Sequence, residues 1–327
     1  MTEPLHPDVV VGRLSDLLEP FASPVANTLA DLGVYGGRPL AQLFPAPRTR
    51  PAVTTTTRWR LPGLVSEDLV FRSAHVPLER RFRRRYRDEY PETHLVYARR
   101  IRPTSARARP RLLYLHGYMQ PETLVEEMAL LSGMALRLNV EVIQMQPPYH
   151  GRRAPRASRF SGELYWTADL VRSIEALRQS LLDARTLLHW LLAEDPRPVG
   201  VAGLSLGGAL AACLACVEER FAFAIPLIAH MDLAALVADA PVLARMRRQL
   251  RSFGWGDREP GASSPARLRA CRPRCPARVS CSSPPPRTAS SRPASSGACG
   301  SAGAGRRCAG TPRATWASSS TSPARCG

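Results

Sequence analysis

Apolar and polar residues alternate along this chain with two periods. Val9–Leu18 and Pro24–Leu32 carry the three-to-four-residue apolar spacing of helices, and Gly36-Gly37 followed by Pro39 punctuates the stretch. Residues 58–75 and 93–101 alternate loosely through Trp59, Val65, Val70, Phe71, Leu95, Val96 and Tyr97. They predict the opening antiparallel strands of a mixed sheet. A more regular block follows. Leu112–Leu115, Val140–Met145, Pro198–Leu204 and Phe221–Ile228 are short apolar runs of strand length. Between them lie helical patterns over Leu124–Leu138, Trp166–Leu192 and from Ser205 to about Glu219. The second is amphipathic, with Asp169, Arg172, Glu175, Arg178 and Arg185 as its polar members. Strands that alternate with helices predict a parallel sheet, and continuously apolar strands predict burial on both faces. The predicted class is therefore α/β, a mostly parallel sheet with helices on both faces. A helical segment spans 1–57 and the core spans 58–255.

Composition changes the picture beyond residue 255. From Pro260 to Gly327 only Leu268, Val279 and Trp316 fall outside the set Ala, Pro, Gly, Ser, Thr, Arg and Cys. Such a segment cannot bury enough apolar surface to offset its chain entropy, so 256–327 reads as a disordered, low-complexity tail. It holds Cys271, Cys275, Cys281, Cys299, Cys308 and Cys326, but no CxxC pair and no His, which argues against a zinc site. The 11 Arg between Pro260 and Gly327 carry much of the formal charge of +18. All 45 basic residues are Arg, a bias of GC-rich coding. The run Arg80–Arg87 could be a nucleic-acid patch, but Asp88, Glu89 and Glu92 follow it and it reads as a solvated face. No specific nucleic-acid partner is expected. No run of about 18 apolar residues predicts a membrane span. Glu3 and Asp8 break any signal-peptide layout, so a cytoplasmic location is expected.

The chemistry concentrates at Gly203-Leu204-Ser205-Leu206-Gly207, a G-x-S-x-G pattern. It follows an apolar strand and opens a helix, the setting of a nucleophile elbow. Gly203 and Gly207 allow close packing at a sharp turn, and the Ser205 hydroxyl projects from the strand end. The helix N-terminus offers free N–H groups to a developing oxyanion. The alternative is an ordinary Ser N-cap.

With that elbow the chain resembles the α/β-hydrolase superfamily, in its serine esterase and lipase-like branch, over about residues 58–250. Leu115-His116-Gly117-Tyr118 and Pro148-Tyr149-His150-Gly151-Arg152-Arg153, each after a strand, carry the rest of the likeness. The resemblance implies an oxyanion hole from the N–H groups of Tyr118 and Leu206, with Gly117 shaping the first turn. His116 and His150 become loop-shaping residues. It implies a small-molecule acyl substrate, a Ser205 acyl-enzyme and no metal or organic cofactor. The family order is Ser, then Asp or Glu, then His. Here the chain departs from it. His230 is the sole His after Ser205, and it sits two residues from the candidate acid Asp232, so it reads as structural.

A frameshift accounts for the missing base. Out of phase, the codons where Arg287 meets Thr288 permit Asp, followed by Arg-Phe-Val-Pro. Those where Ala314 meets Thr315 permit His in a Gly-His-Leu-Gly setting. The two positions come in family order, which puts a shift near residues 251–260. The chain as written is thus expected to be a truncated, impaired hydrolase. A non-catalytic binding protein of the same fold and an Arg-rich nucleic-acid binder are the alternatives.

Overall fold

The computed structural model describes residues 25–104, 109–121 and 126–255. The predicted helix Val9–Leu18, the start of the Leu124–Leu138 helix and the tail 256–327 lie outside those residues. Among the described residues two short helices come first, α1 (Leu29–Gly33) and α2 (Leu40–Leu43). Thr28 caps α1 and Asp31 reciprocates, a capping box.

The run 58–75 is a hairpin rather than one strand. β1 (Thr54–Leu61) and β2 (Leu64–Arg72) pair antiparallel around Pro62-Gly63, where Gly63 takes φ 82°. β1 opens on four β-branched threonines, ahead of the expected boundary at residue 58. β3 (Leu95–Pro103) pairs antiparallel with β2 and with β5 (Glu141–Met145). β4 (Arg111–Leu115) lies parallel between β5 and β6 (Val199–Leu204), and β7 (Ala224–Leu227) runs parallel to β6. The sheet order is β1-β2-β3-β5-β4-β6-β7, the predicted mixed, mostly parallel α/β sheet.

Alternation along β4 feeds two cores. Leu112 and Tyr114 pack with Leu131 and Ala135, on and just before α4 (Ser132–Arg137). Leu113 and Leu115 point the other way, into the core formed with α5 (Leu170–Glu194) and α6 (Leu206–Val217). Each fully buried Leu of this kind contributes roughly 1.5–3 kcal/mol. Two further helices, α7 (Leu233–Asp239) and α8 (Ala244–Ser252), follow β7.

The polar stripe of α5 is not a solvated face. Asp169, Arg172, Glu175, Arg178, Asp183 and Arg185 are all buried. Glu175 accepts from Tyr35 Oη (2.7 Å), Leu78 N (2.7 Å) and the His75 imidazole (2.8 Å), and pairs with Arg178. Arg153 and Asp183 form a fully buried ion pair at 2.7 Å. Helix α3 (Arg80–Glu89) joins this layer. Its Phe82 and Tyr86 are buried, and Arg85 bonds Asp169 at 2.8 Å. The aromatic residues of the Arg80–Arg87 run thus face the protein and offer no stacking surface to a base.

Candidate active site

The carboxyl ends of the four parallel strands converge on one edge of the sheet, where open α/β sheets bind ligands. Each end is followed by a non-glycine residue with positive φ: Met119 (63°) after β4, Tyr149 (64°) after β5, Ser205 (54°) after β6 and Ile228 (50°) after β7. Such conformations cost of order 1–3 kcal/mol each and cluster at functional sites.

Ser205 has φ 54° and ψ −111° at the junction of β6 and α6. Its N–H donates to Leu227 O (2.9 Å) and its carbonyl accepts from Ala209 N (2.9 Å), so the backbone is held from both sides. The hydroxyl makes no capping bond to α6, which removes the ordinary N-cap reading. The glycines are sterically required. A Cβ on Gly203 would lie 2.2 Å from Gly207 O, and one on Gly207 would lie 1.9 Å from Leu115 O. Gly208, which sequence reasoning passed over, is equally constrained: a Cβ there would lie 2.4 Å from Leu227 O. The doubled glycine in Leu206-Gly207-Gly208 was the available signal.

The turn after β4 packs against this elbow, with the Cβ position of Gly117 at 3.8 Å from Ser205 Cβ. Gly117 N–H is occupied, donating to Gln120 Oε1 at 3.1 Å. Among the described residues, neither Tyr118 N–H nor Leu206 N–H meets a hydrogen-bond acceptor. The two donors assigned from sequence are thus unengaged on the turns either side of Ser205.

Ser205 opens into a cleft with a free volume of about 720 Å³, including the part open to solvent. Trp166, Leu177, Ala209, Cys213, Leu236 and Leu243 form apolar walls, and Tyr118, Ser205 and His230 bring polar groups. Burial pushes the Tyr118 phenol well up, and Glu163 adds to the shift, so the ring is a neutral wall.

The histidines divide. His116 and His150 are buried beneath the site, with ring centroids 5.2 Å apart. His116 Nδ1 lies 2.9 Å from Gly117 O and His150 Nδ1 lies 3.0 Å from Pro148 O. Burial, and then the neighbouring His116, hold His150 well below its ordinary value, so it stays neutral. Each ring thus lies against the backbone of its own turn. His230 is exposed and lines the cleft with Ser205, a closeness that the sequence order concealed. Asp232 caps α7, accepting from Ala235 N at 3.1 Å. Among the described residues no group of three His, Cys, Asp or Glu could hold a metal ion.

The profile of the family described as alpha/beta hydrolase domain containing 18 matches residues 43–239. The chain belongs to this family. The match covers the elbow, both turns and β1 to α7, and ends before the Arg-, Ala- and Pro-rich tail of this alpha/beta hydrolase domain containing 18 member. An uncharacterized Mycobacterium tuberculosis protein, Rv2627c of strain H37Rv, is 30% identical over 135 residues, 39% of this chain and 31% of that protein. MT2702 of strain CDC 1551 matches to the same extent. The alignment spans about a third of the length of these relatives. Among solved structures, acetyl xylan esterase 1 from Thermoanaerobacterium sp. aligns with TM-score 0.46 and 16% identity, over 79% of this chain and 75% of that one. An acetyl xylan esterase from Paenibacillus sp. R4 aligns with TM-score 0.43 and 15% identity, over 76% and 73%. No described helix is long and apolar enough to cross a membrane.

Proposed function

We propose that this chain is built as a serine hydrolase acting on a carboxylic ester or related acyl compound through a Ser205 acyl-enzyme. The carrying observation is the positive-φ Ser205, its hydroxyl uncommitted, between the unengaged N–H groups of Tyr118 and Leu206. Ser205 Oγ attacks the acyl carbon while its proton passes to a base. The carbonyl oxygen becomes an oxyanion between the two N–H groups, each worth roughly 3 kcal/mol of barrier. Collapse expels the alcohol and leaves the acyl-enzyme, which water hydrolyses. The apolar cleft suits an uncharged acyl group.

The base is the weak point of the chain as written. Ser205 has no hydrogen bond to a histidine among the described residues, and His230 alone among the described histidines shares its cleft. The shifted reading of the tail would supply the family's Asp and His, so we read this chain as impaired. A second reading, a non-catalytic binding member of the fold, is favoured by that same missing bond. Hydrolysis of short p-nitrophenyl esters by the chain with its reading frame restored, lost in Ser205→Ala, separates the two. Equal turnover by the Ala variant overturns the serine assignment.

A further inference from the structure

Three hydrogen bonds through Ser161 and Gly162 link the turn after β4 to the turn after β5, a fourth lies within the β4 turn, and all four involve residues outside the nucleophile elbow. Gly117 N–H donates to Gln120 Oε1 at 3.1 Å. Ser161 Oγ donates to the Gln120 carbonyl at 2.7 Å and accepts from Gly151 N–H at 3.0 Å. Gly162 N–H donates to the Tyr149 carbonyl at 2.8 Å. Gly162 holds φ 88°, and a Cβ there would lie 2.4 Å from His150 Nε2. The segment 161–162 is therefore pressed onto the Tyr149-His150-Gly151 turn and reaches from it to the oxyanion turn.

This arrangement has a chemical consequence. A turn of consecutive peptides can present any of several N–H groups, and a peptide rotation exchanges one for another. By engaging Gly117 N–H, Gln120 takes one donor out of the set and leaves Tyr118 N–H. By holding the Gln120 carbonyl, Ser161 fixes the Gln120–Pro121 peptide one residue beyond Met119, whose φ of 63° is disfavoured for a non-glycine residue. The Ser161 hydroxyl thus links the two turns with its one donor and one of its lone pairs.

We propose that Ser161 and Gln120 are positioning residues that select and fix Tyr118 N–H as the oxyanion donor of the β4 turn. This rests on the Ser205 reading above. The test is binding of an alkyl boronic acid to the full chain by calorimetry, which needs no general base. Ser205 Oγ adds to boron, its proton leaves to solvent, and the tetrahedral boronate carries its negative charge into the oxyanion site. Removing one oxyanion donor costs on the order of 100-fold or more, and a loosened donor forfeits part of that. Ser161→Ala and Gln120→Ala are each expected to weaken the boronate about tenfold, with melting temperature little changed. Ser161→Thr, which keeps the hydroxyl, is expected to restore binding to within about threefold. Boronate affinity within twofold of the parent in both Ala variants overturns the proposal, as does equal weakening by Ser161→Thr and Ser161→Ala. Ser205→Ala serves as the separate control. If it retains boronate binding, the nucleophile reading falls. If it abolishes binding while the other variants are unaffected, only this inference falls.

Discussion

Gly207→Ala isolates the contact on which the elbow depends. The new Cβ would stand 1.9 Å from Leu115 O, 2.4 Å from Leu115 C and 2.7 Å from His116 O, all backbone atoms at the end of β4. Ordinary contact begins at 3.4 Å, so the shortfall from 1.9 Å is about 1.5 Å. No flexible side chain can absorb it. Either α6 retreats from β4 or the turn carrying Tyr118 retreats from Leu206. Overpacking of this kind costs roughly 1–3 kcal/mol and occasionally more. At the upper end, with 2–4 °C lost per kcal/mol in a domain of this size, the melting temperature should fall by roughly 6–12 °C. Displacing the nucleophile by about 1 Å should also cost on the order of 100-fold in turnover. Gly133→Ala is the control. It lies in α4 with nothing within 4 Å of its Cβ position, so it should be neutral or stabilise by roughly 1 kcal/mol. Thermal melts of the two variants beside the parent give the answer. A Gly207→Ala protein that melts with the parent refutes the claim that α6 is seated directly on β4.

Removing Arg153 alone leaves Asp183 buried without its partner, so Arg153→Met should cost roughly 3–5 kcal/mol, while Arg153→Met with Asp183→Leu should recover much of it in urea melts. Burial pushes the Glu218 carboxyl up, but bonds from Arg220 and Arg185 outweigh it and hold the group at about 2. Its contribution is therefore full above about 4.5 and is lost as pH falls from there toward 2. Glu218→Gln should flatten that limb of the stability profile, and an unchanged limb would contradict the assignment. The apolar cleft predicts faster hydrolysis of p-nitrophenyl hexanoate than of the acetate, by up to about fourfold per buried methylene, with the gain reversed by Ala209→Trp; a preference for acetate would contradict the acyl-pocket reading. Resequencing the gene should reveal a one-base insertion or deletion between codons 251 and 260, and a shifted frame carrying stop codons would leave the tail unexplained.

The strand-and-helix alternation and the elbow were legible because their causes are local. A buried parallel strand must be apolar along its whole length, and a sharp strand-to-helix turn must have glycines where backbones touch. What stayed hidden depends on distant partners. The charged positions of α5 were legible only as the polar side of an amphipathic helix, because nothing in their spacing tells that Arg85, His75 and Arg153 arrive from elsewhere to pair with them. The hairpin at Pro62-Gly63 merged with its neighbours because β1 is an exposed edge strand with weak alternation. Ser161 and Gln120 gave no signal, being ordinary loop residues until the two turns are brought together. His230 looked too close in sequence to Asp232 to matter, yet it lines the cleft with Ser205, while Asp232 turns back to cap α7.

The central claim is that Ser205 is an activated nucleophile. A fluorophosphonate reagent followed by peptide mass spectrometry tests it most directly, applied to the chain as written and to the chain with its reading frame restored. The account predicts an adduct on the peptide carrying Ser205, formed slowly in the first protein and rapidly in the second, and absent from Ser205→Ala. Folded protein of both kinds with Ser205 unmodified, or an equal adduct in the Ala variant, would contradict it.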